Sequence, residues 1–205
     1  AVTIGTNAVL QSDNVGATQS DVTILSGGNI AQNSGTIDSN SGGIRIATDG
    51  GTVLVVDADS QATTGQFTTE ITTGGIAENN NQVVIQIDAS GQVTVGNVDA
   101  TGAGTDDEVR TENNIVLNDV DATDTVYLEA TDVGTSQTSL DNNGALNNVT
   151  ATKLDARADL FIGRVANQEV FLDPEDTGYT AGLGNTIETA FSNLPAIPTA
   201  SDGEL

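Results

Sequence analysis

Short runs in which aliphatic and polar residues alternate recur along most of the chain. They stand at Val22/Ile24, Ile44/Ile46, Val83/Ile85/Ile87, Val93/Val95, Ile115/Leu117, Val126/Leu128 and Leu160/Ile162. A period of two puts the apolar side chains on one face of an extended strand, so each run predicts a half-buried β-strand. Between the runs lie clusters rich in Gly, Asn, Asp and Ser: Ser26-Gly27-Gly28-Asn29, Asp49-Gly50-Gly51, Glu78-Asn79-Asn80-Asn81 and Asp141-Asn142-Asn143-Gly144. Such residues tolerate the backbone of tight corners and predict turns. Ahead of Pro174, the first proline, no stretch carries a helical stripe of apolar residues. The pattern predicts an all-β fold.

Repetition narrows the architecture. Asn97-Val98-Asp99-Ala100-Thr101 recurs as Asp119-Val120-Asp121-Ala122-Thr123 and again as Asn148-Val149-Thr150-Ala151-Thr152. Imperfect repeats about 20 residues long predict a solenoid whose coils differ in loop length. Each strand would then pair with its counterpart one coil above and below. The expected fold is a β-solenoid over residues 1–172, and an antiparallel β-sandwich is the alternative that short, regularly spaced strands also allow.

Asp21–Ile37 with Gly43–Gly51, and Ile115–Thr131 with Gly144–Thr152, alternate Gly-Asn-Ile and Val-x-Leu-x-Ala-Thr strands with Asn/Gly turns. In this, residues 20–165 resemble the repeats of filamentous-haemagglutinin-type secreted passengers. The resemblance implies a right-handed parallel β-helix with a role in adhesion or surface structure, and it transfers no functional residues.

Residues 173–205 read differently. All three prolines (Pro174, Pro195 and Pro198) fall here, and no basic residue follows Arg164. Thr186–Leu194 places Ile187, Phe191 and Leu194 on one side of a short helix that Pro195 would end. This segment is expected to be a C-terminal cap or a linking arm that docks on a neighbouring subunit.

Composition removes many functions. The 205 residues include no His, Cys, Met or Trp, and only two Tyr and four Phe. Without His or Cys there is no Ser-His-Asp or Cys-His arrangement and no zinc site of imidazole or thiolate. A net charge of −24 repels phosphate backbones and anionic lipid, so neither nucleic acid nor a membrane surface is an expected partner. No apolar run approaches the ~20 residues that span a bilayer as a helix. Acidity, and a Met-free chain that starts at Ala1 and so suggests processing, predict a secreted, extracellular or cell-surface protein.

What remains is carboxylate chemistry. Asp57 with Asp59, and Asp119 with Asp121, are spaced to share a strand face, as a carbohydrate-cleaving or carbohydrate-binding β-helix would require. A groove lined by Tyr127, a Phe and such a pair would support that alternative. Calcium is the candidate cofactor, because acidic loops supply the hard oxygens it takes. The candidate ligands are Asp106, Asp107, Asp119, Asp121 and Asp124, beside acidic Glu108 and Asp173/Glu175/Asp176. Asn148-Val149-Thr150 fits a glycosylation acceptor, and Lys153, the sole lysine, is a candidate for an isopeptide bond. The leading expectation is a non-catalytic structural protein: a β-solenoid segment of a surface fibre, adhesin or self-assembling filament. It would associate end to end or through residues 173–205, with a cell-surface or glycan partner.

Overall fold

The computed structural model describes residues 1–5, 8–12, 21–67, 82–130, 138–142, 149–158, 161–162, 180–181 and 186–190. The chain opens with strands β1 (Val2–Ile4), β2 (Val9–Ser12), β3 (Val22–Ser26), β4 (Ile30–Gln32), β5 (Thr36–Ser39) and β6 (Ile44–Thr48). Longer strands follow: β7 (Val53–Ser60), β8 (Val83–Ala89), β9 (Val93–Ala100), β10 (Asp106–Thr111), β11 (Ile115–Ala122) and β12 (Thr125–Ala130). The last are β13 (Ser139–Asn142), β14 (Val149–Thr150), β15 (Lys153–Ala158), β16 (Phe161–Ile162), β17 (Thr180–Ala181) and β18 (Thr186–Ala190).

These strands form two sheets. The ten-stranded sheet runs β1-β4-β7-β9-β11-β13-β16, with β2, β5 and β14 joined beside that path. The eight-stranded sheet runs β3-β6-β8-β10-β12-β15-β18-β17. From β1 to β16 every strand pair is parallel, for example β7 with β9, β9 with β11 and β10 with β12, and β10 shifts register against β8 between Asp106 and Asp107. Parallel pairing rules out the antiparallel sandwich, and no helix occurs among the described residues. From β6 to β12 successive strands alternate between the sheets, so the chain leaves one sheet, crosses the other and returns one strand further along.

Register converts the sequence pattern into columns. In the first sheet Ile30, Val53, Val93, Ile115 and Leu140 stack inward, and Val95 stacks between Val55 and Leu117. In the second, Ile24, Ile46, Ile87, Val109, Leu128 and Ala156 do the same. Nearly all of these side chains are inaccessible to water. Burying each large aliphatic side chain contributes about 1.5–3 kcal/mol, which explains a core built with so few aromatics. The two clearest sequence repeats are stacked partners, with Asn97, Val98, Asp99 and Ala100 beside Asp119, Val120, Asp121 and Ala122. Val149 and Thr150 of the third repeat lie against Val120 and Asp121.

Each long strand of the first sheet bends in the middle. In β7 the buried positions are Val53, Val55, Ala58 and Ser60, so two successive residues, Val56 and Asp57, face outward. The side chain of Gln32 fills this bend. Its Oε1 accepts from the Val56 and Asp57 amides at 3.0 and 3.2 Å, and its Nε2 donates to the Gly35 and Asp57 carbonyls, each at 2.8 Å. Gly96 occupies the bend one strand on, where any Cβ would collide with the Val56 carbonyl oxygen. Hydroxyls close other corners: Thr48, Ser60 and Thr111 donate to the carbonyls of Gly28, Gly42 and Gly91 at 2.9, 3.1 and 2.6 Å. These bonds satisfy backbone groups that would be costly to bury unpaired.

The outward face of the second sheet is itself buried along β8, β10, β12 and β15, where Gln86, Glu108, Tyr127, Asp155 and Arg157 are almost inaccessible. Arg157 forks onto Asp155 at 3.0 and 2.6 Å, and Gln86 donates to Glu108 at 3.1 Å.

Three expectations are corrected. Thr186–Ala190 is strand β18, antiparallel to β15, in place of a helix, since the open edge of β15 offers its backbone a ladder. Asp141 and Asn142 belong to β13, paired with Val116 and Leu117, and are not turn residues. Asp106–Glu108 are in strand β10 and buried, not in an acidic loop. The 78–81 turn cluster lies outside the described residues, as do Asp173, Glu175 and Asp176.

Column continuity has a measurable consequence. Leu117→Ala removes an inaccessible member of a column and is expected to destabilise the fold by about 3 kcal/mol in urea unfolding. Leu25→Ala, at a position 63% exposed, should cost far less.

Candidate functional site: an acidic ladder on the first sheet

The same register that stacks aliphatic residues inward stacks carboxylates outward. Asp38, Asp59, Asp99 and Asp121 are in-register partners on β5, β7, β9 and β11. Parallel strands put successive members about 4.8 Å apart. Beside them runs a second column, Asp57, Asn97 and Asp119. Neutral residues interrupt or end both columns. Asn97 donates to Asp57 at 3.2 Å, Gln11 donates to Asp38 at 3.1 Å, and Thr150 follows Asp121. The sequence-predicted pairs Asp57/Asp59 and Asp119/Asp121 therefore do share a face.

Crowding changes their protonation. The Asp99 carboxyl is pushed up to about 6, by partial burial first and then by the charges of Asp121 and Asp59. Asp119 is also raised to about 6, by burial, by the Asp121 charge and by a hydrogen bond with Asp121. Asp59 is raised by burial and by Asp38, against a hydrogen bond from Gln61 that lowers it.

Asp107 is the extreme case. It occupies an inward column of the second sheet, Val22–Ile44–Ile85–Asp107–Val126–Leu154, where every other member is aliphatic. It is inaccessible, and neither carboxyl oxygen has a hydrogen-bond partner. Burial raises its pKa well above the ordinary carboxylate range, and Asp99, Asp106, Asp121 and Asp59 add to the shift.

The five calcium candidates are thus divided. Asp119 and Asp121 face outward on β11, Asp106 and Asp107 are buried on β10, and Asp124 sits in the bend before β12. Asp106 is already engaged, accepting from the Thr125 amide at 2.9 Å. Among the described residues no group of three or more carboxylates is arranged to hold a metal ion. The ladder offers a row of charge, not a cage.

A saccharide groove lined by Tyr127 would need that side chain at the surface. Tyr127 is 2% exposed. A cleft of about 840 Å³ lies on the other sheet, bordered by Leu25, Ala47, Asp88, Arg110, Glu112 and Glu129, and Asp88 there pairs with Arg110 at 2.8 Å. No aromatic residue lines it among the described residues.

Sequence reading missed the full ladder, although its signal was present. Ile37-Asp38-Ser39 and Ala58-Asp59-Ser60 repeat the aliphatic-Asp-small unit of Val98-Asp99-Ala100 and Val120-Asp121-Ala122.

Two predictions follow from the raised carboxyls. Their folded-state pKa values lie above 3.8, so between the two values the native state holds more protons than the unfolded chain. The stability they contribute is full below about 3.8 and is lost as pH rises through the folded-state values, about 6 for Asp99 and Asp119 and higher for Asp107. Melting temperature should therefore fall from mildly acidic to alkaline pH, and Asp107→Val should flatten the slope and raise the alkaline midpoint. A slope unchanged in this variant would contradict it. At matched ionic strength, Ca2+ and Mg2+ should raise the midpoint equally, whereas a rise specific to Ca2+ would reveal an assembled site. The chain matches no family model, no curated protein and no solved structure.

Proposed function

We propose that the chain is a non-catalytic structural protein of the cell exterior. In this reading it is a right-handed parallel β-helical segment of a surface fibre, adhesin or self-assembling filament. The observation that carries the proposal is the alternation of strands between two parallel sheets, each return advancing by one strand. A coil of that kind grows by adding rungs and presents long, regular faces, as a stalk or fibre requires. The resemblance of residues 20–165 to filamentous-haemagglutinin-type passengers supports the same reading. So does the net charge of −24, which keeps an exposed polymer soluble in a cation-rich exterior.

Catalysis has little support. The chain has no His or Cys, so the nucleophile–base arrangements built on them are absent. Residues 173–205 act here as a cap or linking arm, and the antiparallel addition of β18 to β15 is the form such docking takes.

Electron microscopy of the purified chain at rising concentration is expected to reveal rods or fibres. Compact monomers at every concentration and Ca2+ level would contradict assembly. Polysaccharide turnover abolished by Asp119→Asn would replace the structural reading with a carbohydrate-active one.

A further inference from the structure

β10 carries three successive acids that water does not reach, Asp106, Asp107 and Glu108. Two of them are held. Asp106 accepts from the Thr125 amide of β12 at 2.9 Å, and Glu108 accepts from Gln86 Nε2 of β8 at 3.1 Å. Of the three, only Asp107 lacks a partner for both carboxyl oxygens. Its neighbours in the column are Ile85 and Val126. The charged groups acting on it are Asp106 on its own strand and Asp59, Asp99 and Asp121 on β7, β9 and β11, all of them acidic. The titratable residues of the flanking strands, Asp88 on β8 and Tyr127 and Glu129 on β12, alternate onto the opposite face. Among the described residues no three carboxylates are arranged to hold a metal ion, so a proton is what neutralises this group.

The strand join beside Asp107 is interrupted. Asp106 pairs with Val83 and Asp107 with Ile85, so Val84 has no counterpart on β10. This is a β-bulge, which leaves one residue unpaired and breaks the ladder locally. Val84 is nonetheless inaccessible and packed in the core. On its other side β10 pairs with β12 without a break from Asp107 to Thr111. Past the bulge the β8–β10 join is pinned again, by Gln86 on Glu108 and by Arg110 on Asp88 at 2.8 Å. The unpartnered carboxyl therefore stands at the weak end of one join.

We propose that Asp107 makes this bulge an acid-held latch inside the stack. With the carboxyl protonated, Asp106 and Asp107 stay closed on Val83–Ile85. With it ionised, that end of β10 parts from β8, the Asp88–Arg110 pair acts as the pivot, and water reaches the interior. A buried carboxylate without partners is costly, and a local opening that wets it relieves the cost while the other strands stay paired. The latch holds whether or not the chain assembles into fibres. Closed, the Asp107 carboxyl has a pKa well above 3.8, and opened to water it returns to that ordinary value. Opening is thus linked to the release of one proton. It becomes about tenfold easier per pH unit above 3.8 and levels off once the closed form has itself ionised.

Native-state amide exchange of the 205-residue chain, resolved by strand and corrected for the intrinsic rate at each pH, tests the latch. The expected result is a loss of protection of about tenfold per pH unit at residues 84–86 and 106–108. Residues 93–95 and 115–117, on β9 and β11, should lose far less. In Asp107→Asn and Asp107→Val the pH dependence at the bulge should vanish. Val is the gentler of the two changes, because the other members of the column are aliphatic. Protection at the bulge that ignores pH in the wild type would overturn the proposal. So would an equal loss in all strands, or an unchanged dependence in a folded Asp107 variant. The comparison between strands of the wild type decides the matter even where a variant fails to fold.

Discussion

In-register parallel pairing is the constraint on which the rest of this structure depends. Once a strand lies beside its counterpart with no offset, every residue is placed about 4.8 Å from the equivalent residue of the next rung. Like then meets like, whatever the side chain. For Val93, Val53 and Ile115 this yields a dry, continuous column. For Asp59, Asp99 and Asp121 it yields a row of mutually repelling carboxyls. The apolar columns and the acidic ladder are two results of one geometric rule, and the first must outweigh the second for the chain to fold.

The columns also explain where polar residues are admitted to the interior. A strand that bends leaves amides and carbonyls without partners, and Gln32 meets four of these groups at one corner. Thr48, Ser60 and Thr111 do the same at strand ends. Asp107 is the exception, since it answers no such need and interrupts an aliphatic column with an unpartnered carboxyl. It ties the stability of the stack to its protonation state.

Much of this was legible in the residues. Alternation at Ile44/Ile46 and Ile115/Leu117 marked real strands, and the Asn97–Thr101 and Asp119–Thr123 repeats marked real stacking partners. Local patterns fail where tertiary pairing decides. Asp106-Asp107-Glu108 looks like a solvated loop, yet the open edges of β8 and β12 draw it into a strand. Thr186–Leu194 has helical spacing, yet its described part, Thr186–Ala190, pairs with the edge of β15. The acidic ladder escaped notice for a related reason. Its members lie on strands well apart in the chain, Asp57 and Asn97 being 40 positions apart, and only the register brings them together.

The central claim is the register itself, and nuclear Overhauser contacts between backbone protons test it most directly. The account predicts contacts of Val95 with both Val55 and Leu117, and of Val98 with both Ala58 and Val120, in the pattern of parallel neighbours. Close Hα–Hα contacts between strands adjacent in sequence, the mark of antiparallel hairpins, would contradict it.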